Sequence, residues 1–305
     1  MPDRPRPTRR PRGTRPPAPA SATPVEGEEA IATGTVRLER DPDDPDGWTV
    51  LVNGVPSSYV DTADPTRLVF EYHQWTAAVL DAVHPPGPLR ATHLGGAGCA
   101  FPRWLAATRP GSRQLVLEVD AELVEVYRRS FGASGPAGFK LRAADARAGL
   151  APLPTGSQDA LVRDAFAGDA VPAHLRTVEF LAEVDRVLAP GGLWVANLAD
   201  RPPMPNSRAE LATAFEVFAH AAVLAEPGVF RGRRYGNALL VASQEELPRQ
   251  ALVRALSGGA APARLVLDDD ARHFCAGSRV LHDELPDAPD DEPGPPPAPP
   301  EDTPA

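Results

Sequence analysis

The sequence predicts an α/β fold: a doubly wound, mostly parallel Rossmann-like sheet preceded by a small N-terminal β-hairpin domain. Three observations predict it. Short apolar strands alternate with helical patterns from residue 89 to 197, and the strands end in polar residues or glycine turns, as parallel strands joined by crossover helices do. The strand at 89–94 breaks into Gly95-Gly96-Ala97-Gly98 before a helical pattern over 100–108; at such a turn the backbone can approach a ligand closely and helix N–H groups converge. Asn53-Gly54, between two alternating segments, is a two-residue hairpin signal.

In chain order, residues 35–39 and 48–52 alternate as strands, and 55–60 makes the return strand after Asn53-Gly54. Asp64-Pro65 reads as a helix cap followed by proline in the first turn. Leu68, Val69, Tyr72, Trp75, Val79 and Leu80 follow at helical spacing, and Pro85, Pro86 and Pro88 end that helix. Strands are expected at 113–117, 139–142, 159–163 and 193–197, with helices at 121–131 and from Pro172 to 188, the latter stopped by Ala189-Pro190-Gly191-Gly192. Beyond these come a helix near 209–222, strands at 225–230 and 238–243, and a short helix near 244–256. The resulting division is 1–33 and 286–305 as disordered tails, 34–62 as the β-domain and 63–285 as the Rossmann-like domain.

The charge distribution supports that division. Residues 1–24 carry six arginines and one acid, whereas 281–305 carry eight acids and no Lys or Arg, against a total of −10. Both ends are proline-rich and lack the apolar periodicity that offsets ordering entropy. The basic end has no aromatic residue to stack on bases and no amphipathic period, which disfavours a nucleic-acid or membrane partner. No apolar run is long enough to span a membrane. The two cysteines, Cys99 and Cys275, show no metal-ligand spacing, so free thiols, a cytoplasmic location and no metal are expected.

Glu118 ends the strand after the glycine turn, 23 residues beyond Gly95. That offset places a carboxylate on the ribose hydroxyls of a bound nucleoside; the plainer alternative is a tight turn with a solvated Glu. Asp164 ends another strand, where a carboxylate can take a proton from a nucleophile or simply cap a turn. Asp145 reads equally as a ligand contact or as the cap of the turn at 146–149. His73 reads equally as a site residue or a packed core histidine, and Tyr72 and Trp75 read as core. His174 reads as a surface histidine, and Arg231, Arg233 and Arg234 as a solvated turn.

The order of several segments carries a resemblance. Asn53-Gly54-Val55, Phe70-Glu71-Tyr72-His73, His93-Leu94-Gly95-Gly96-Ala97-Gly98, Glu118-Val119-Asp120, Asp145-Ala146 and Asp164…Val171-Pro172-Ala173-His174-Leu175 follow one another as in the spermidine synthase (polyamine aminopropyltransferase) family. The match covers about residues 34–245 and implies a class I methyltransferase-type domain. By this resemblance the donor is decarboxylated S-adenosylmethionine or S-adenosylmethionine, and the acceptor is an amine or polyamine. Gly95, Gly96 and Gly98 would form the nucleoside loop, Glu118 would hold the ribose, and Asp145 with Ala146 would contact adenine. Asp164 would orient and deprotonate the amine. His73 and Tyr72 would line the amine side, Pro172 would shape a gate beside it, and relatives often pair as homodimers.

Three positions depart from the family pattern. Gly98 stands where spermidine-making members carry an Asp, Ala167 where they carry a second Asp, and Ser57 where they carry a Gln; Asp169 lies two residues beyond the second Asp position. Each charge-assisted hydrogen bond is worth about 1.5–3 kcal/mol, so the amine half is expected to be weakened while the nucleoside half is kept. Methyl transfer from intact S-adenosylmethionine and a catalytically degenerate nucleoside-binding scaffold are the alternatives. On this reading Gly98→Asp raises polyamine affinity.

Overall fold

The computed structural model describes residues 23–283 apart from 97, 133–137, 169 and 260. Most of both expected tails, together with Ala97 and Asp169, lies outside the described residues.

Four strands, β1 (Gly27–Ile31), β2 (Gly34–Arg40), β3 (Gly47–Val52) and β4 (Val55–Asp61), form an antiparallel meander in sequential order. Asn53 (φ 52°) and Gly54 (φ 76°) both adopt the left-handed conformation that a tight hairpin turn requires. The Asn53 side chain fixes the neighbouring turn as well, accepting from Thr35 N at 2.9 Å and donating to Thr33 O at 3.1 Å. β1 extends the meander ahead of the expected boundary at residue 34. Its side chains are almost all exposed, so backbone pairing with β2 holds it and hydropathy does not reveal it.

The second sheet has eight strands. They are β5 (Arg90–Leu94), β6 (Arg113–Glu118), β7 (Phe139–Ala143), β8 (Gln158–Arg163), β9 (Leu188–Asp200), β10 (His220–Ala225), β11 (Gly236–Ser243) and β12 (Arg264–Leu267). Their spatial order is β12-β10-β11-β9-β8-β5-β6-β7. β7, β6, β5, β8 and β9 run parallel, and β11, β10 and β12 add antiparallel pairs. Helices cover both faces: α1 (Glu71–Val83), α2 (Ala100–Thr108), α3 (Ala121–Phe131), α4 (Ala146–Leu150), α5 (Val178–Val187), α6 (Pro205–Val217), α7 (Pro227–Phe230), α8 (Arg249–Ser257) and α9 (Asp269–Cys275). In β9, Trp194 and Ala196 pack against α5 and α6, whereas Leu193 and Val195 join the core beneath α1 and α8. This two-sided burial explains the continuous apolar run.

The meander shares its core with the larger sheet. Ile31, Val36, Trp48 and Val50 cluster with Val116, Leu123 and Tyr127. Thr33 donates through its N–H and hydroxyl to Asp120 at 2.7 and 2.8 Å, while the other Asp120 oxygen caps α3 at Glu122 N and Leu123 N.

Several expected boundaries move, each for a physical reason. Asp64 does not start α1: it accepts from Thr66 N at 2.9 Å in a local turn, and the helix begins at Glu71. The helix expected from Pro172 divides into a 3-10 turn (Ala173–Leu175) and α5, whose separate cap is Thr177. The Ala189-Pro190-Gly191-Gly192 stop lies inside β9, where the pairing register with β8 shifts. The helix expected near 209–222 ends at Val217, because pairing with β11 and β12 on its two sides makes 220–225 strand β10. Residues 227–230 form α7 rather than a strand, and the helix expected near 244 begins at Arg249.

Candidate active site

The chain leaves β5 for β6 and β7, then returns as β8 on the other side of β5. Crossovers therefore diverge from the carboxyl ends of β5 and β8, which opens a crevice there. A cavity of about 580 Å³ occupies it, the size of a small-molecule site.

One end of the cavity is built mainly by backbone. Gly95 has φ 93°, and a Cβ there would lie 2.2 Å from the carbonyl oxygen of Asp164, so only glycine fits between the two strand ends. Gly96 N donates to Glu118 Oε2 at 2.9 Å and Asp120 N donates to Glu118 Oε1 at 3.1 Å. The carboxylate is thereby held beside the cavity that Glu118 lines. Val119, 63 % exposed, adds an apolar wall beside it. Asp145 Oδ1 caps α4 by accepting from Ala148 N at 2.9 Å, and the residue lines the cavity. Its Oδ2 lies 2.8 Å from His174 Nε2. Burial raises the Asp145 pKa, but Ala148 N and His174 outweigh it and leave the carboxyl below its usual value. Ala146 and Pro172 also line this cavity.

The other end is built by side chains. Asp164 accepts from Asn197 Nδ2 at 2.9 Å, and its Oδ2 lies 3.4 Å from His73 Nε2. Burial, then the Asp164 charge and a hydrogen bond to it, push the Tyr72 phenol well above its ordinary pKa, so Tyr72 stays a donor to that carboxylate. His73 is buried, its ring stacks on Phe101 with centroids 5.8 Å apart, and it lines the cavity. Beneath them His93 shares a hydrogen bond with Gln114 at 2.8 Å, and burial drives its pKa down to about 4.

Gly98 does not line the cavity. A Cβ there would meet Ser58 Cβ at 2.7 Å and Val50 Cγ2 at 3.0 Å, so this glycine lets the loop press on the β-meander. The expectation that Gly98→Asp raises amine affinity gives way to a clash with β3 and β4. Cys99 is buried with φ 50°. Burial, reinforced by the Glu118 charge, holds its thiol well above the ordinary value, which keeps it protonated and unreactive. Asp169 lies outside the described residues.

Sequence reasoning missed Asn197, Tyr235 and Asn237, all of which line the cavity. Asn197 had a readable signal, because it is the polar residue ending the apolar run 193–196. Its Oδ1 is buried without a hydrogen-bond partner among the described residues. Asn237 had none: it reaches the cavity because β11 runs antiparallel to β9, which brings its first residues to the carboxyl edge. Among the described residues no three His, Cys, Asp or Glu side chains group as a metal site, and no helix is long and apolar enough to cross a membrane.

The sheet order and the crevice beside β5 and β8 define an α/β domain with the class I methyltransferase fold, with a carboxylate at each end of its cavity. No protein-family profile matches the sequence. A probable spermidine synthase from Corynebacterium glutamicum is 38 % identical, with a TM-score of 0.81 over 87 % of this chain and 99 % of that one. The chain belongs to the spermidine synthase family. The polyamine aminopropyltransferase of Vibrio vulnificus is 33 % identical over 141 residues, 46 % of either chain; the match thus spans about half the length of that curated relative. A spermidine synthase solved with the transition-state analogue AdoDATO aligns at 16 % identity over 76 % of this chain and 78 % of its own, TM-score 0.56. The Thermotoga maritima enzyme aligns at 17 % over 76 % and 77 %, TM-score 0.57. These two likenesses are of fold.

Proposed function

We propose that the chain transfers an aminopropyl group from decarboxylated S-adenosylmethionine to an amine. The observation that carries this reading is that Glu118 and Asp164 line one continuous cavity on either side of the β5–β8 switch. The donor is a sulfonium, so it supplies an electrophilic carbon and a neutral thioether leaving group. The protein's task is then placement and proton removal.

Glu118 accepts from the ribose diol, with Gly96 N and Asp120 N holding its carboxylate in place. Val119 and Ala146 offer apolar surface to the base, and Asp145 stands at its edge. Asp164 takes a proton from the acceptor ammonium, freeing the nitrogen lone pair. That pair forms the new C–N bond as the C–S bond breaks and its electrons pass to sulfur. Tyr72 and Asn197 donate to Asp164 and keep it aimed. Asn197 Oδ1 is placed to accept a remaining N–H of the amine, which leaves no acceptor unpaired when substrate is bound.

The alternatives gain no support from Gly98, which faces the β-meander and so says nothing about the donor's carboxylate. Calorimetry with methylthioadenosine, and turnover with putrescine on decarboxylated and intact S-adenosylmethionine, test the reading. Binding and transfer from the decarboxylated donor are expected; a preference for the intact donor would make the protein a methyltransferase. A cytoplasmic location belongs to the same proposal and is supported by two cysteines that are both free and buried.

A further inference from the structure

After α9 the chain returns across the N-terminus of α5 as a short strap. Val178 N donates to Leu281 O at 2.9 Å, and Leu281 N donates to Thr213 Oγ1 at 2.9 Å. Asp283 N donates to Glu179 Oε2 at 2.9 Å, and His282 Nδ1 lies 3.0 Å from Glu179 Oε1. The Asp283 carboxylate is the hub. It accepts both Arg147 terminal nitrogens, at 2.8 and 2.7 Å, and the Thr177 hydroxyl at 2.7 Å.

Both partners sit beside the base end of the cavity. Arg147 lies in α4, two residues beyond Asp145, and its Nη1 also reaches the carbonyl of His174 at 3.4 Å. Thr177 caps α5 directly after the turn that carries Pro172 and His174. A five-residue helix such as α4 cannot orient itself, because so short a helix has too few internal bonds. A bidentate Arg–carboxylate pair sets geometry as well as energy.

We propose that Asp283 is a positioning residue for donor binding: through Arg147 and Thr177 it fixes the two turns, 145–148 and 172–175, that frame the base end of the cavity. The inference rests on the proposed function, which seats adenine at Asp145 and Ala146. The Arg147 hydrogen bonds, ahead of burial, hold the Asp283 carboxyl below its usual pKa, so the clamp is closed throughout the neutral range. Glu179, Glu183, His174 and His282 are the other charged or titratable groups around it.

The test uses the full chain with Asp283→Asn, Arg147→Gln and the double variant. Methylthioadenosine binding is read by calorimetry, and donor and acceptor KM by steady-state kinetics. Each single variant is expected to weaken methylthioadenosine about tenfold and raise the donor KM alike. The acceptor KM should change by less than about twofold, and the double variant should be no worse than Asp283→Asn alone. Unchanged nucleoside binding with a lowered melting temperature would overturn the proposal and make the strap a stability device. Additive losses in the double variant would overturn the clamp as a unit. A wild-type protein that binds no methylthioadenosine would instead remove the base-end assignment itself, and this inference with it.

Discussion

At the proposed nucleoside end, Gly95, Gly96 and Glu118 lie within one strand–helix–strand unit, and the backbone N–H groups of Gly96 and Asp120 hold the Glu118 carboxylate. At the proposed amine end, Asp164 is surrounded by Tyr72 and His73 from α1 and Asn197 from β9, segments far apart in the chain. The first end needs one tight turn to be right. The second needs α1, β8 and β9 docked correctly at once, so its geometry depends on the whole core. Substitutions should therefore separate the two ends, and the sharpest separation is expected at Asp164.

Asp164→Asn removes the proposed proton acceptor and keeps the shape. Turnover should fall by about 10²–10⁴-fold, with methylthioadenosine affinity unchanged in calorimetry. A parallel loss of nucleoside binding would show that the two ends are not separable.

The same contrast governs what the sequence made legible. Gly95, Gly96 and Glu118 were readable because a turn and a strand end are local events, and all three face the cavity. Gly98 looked the same in sequence, yet it packs on Ser58 and Val50, because the position of the β-meander over the loop is a tertiary fact. Asn237 and Tyr235 were illegible because strand direction in the antiparallel half of the sheet leaves no mark on composition. Hydropathy likewise missed β1, an exposed edge strand, and propensity misread β10, an alanine-rich strand buried between two partners.

A buried cation underpins the amine end. Arg163, fully buried one residue before Asp164, donates to Leu175 O at 2.6 Å and to Glu210 Oε2 at 2.6 Å. It thus joins β8 to the 3-10 turn at Ala173–Leu175 and to α6. Arg163→Met leaves Glu210 with Arg176 alone, and breaking a buried pair costs about 3–5 kcal/mol. Chemical denaturation should show a loss of that order, with the surviving folded protein still binding nucleoside.

Acid should act on the same end. His93 has its folded pKa depressed from 6.5 to about 4 by burial, partly offset by Gln114. Between those values the unfolded chain takes up a proton that the folded chain refuses, so stability falls as pH falls. The full effect is about 3 kcal/mol, complete near pH 4. Urea titrations from pH 7 to 4 should show this slope in the wild type and a shallower one in His93→Gln. Equal slopes would place the acid sensitivity elsewhere.

Glu118→Gln is the smallest of these effects and the most direct probe of the nucleoside end. The amide keeps the shape but loses one acceptor oxygen and the charge, so either Gly96 N or Asp120 N must give up its present partner. A hydrogen bond to a charged group is worth about 1.5–3 kcal/mol, so methylthioadenosine affinity should fall about tenfold to a hundredfold. The acceptor KM should stay level, because Glu118 ends β6 and Asp164 directly follows β8, on opposite sides of β5. If Glu118→Gln instead lowers turnover at saturating donor while affinity holds, the ribose is not its ligand, and the two ends of the cavity exchange roles.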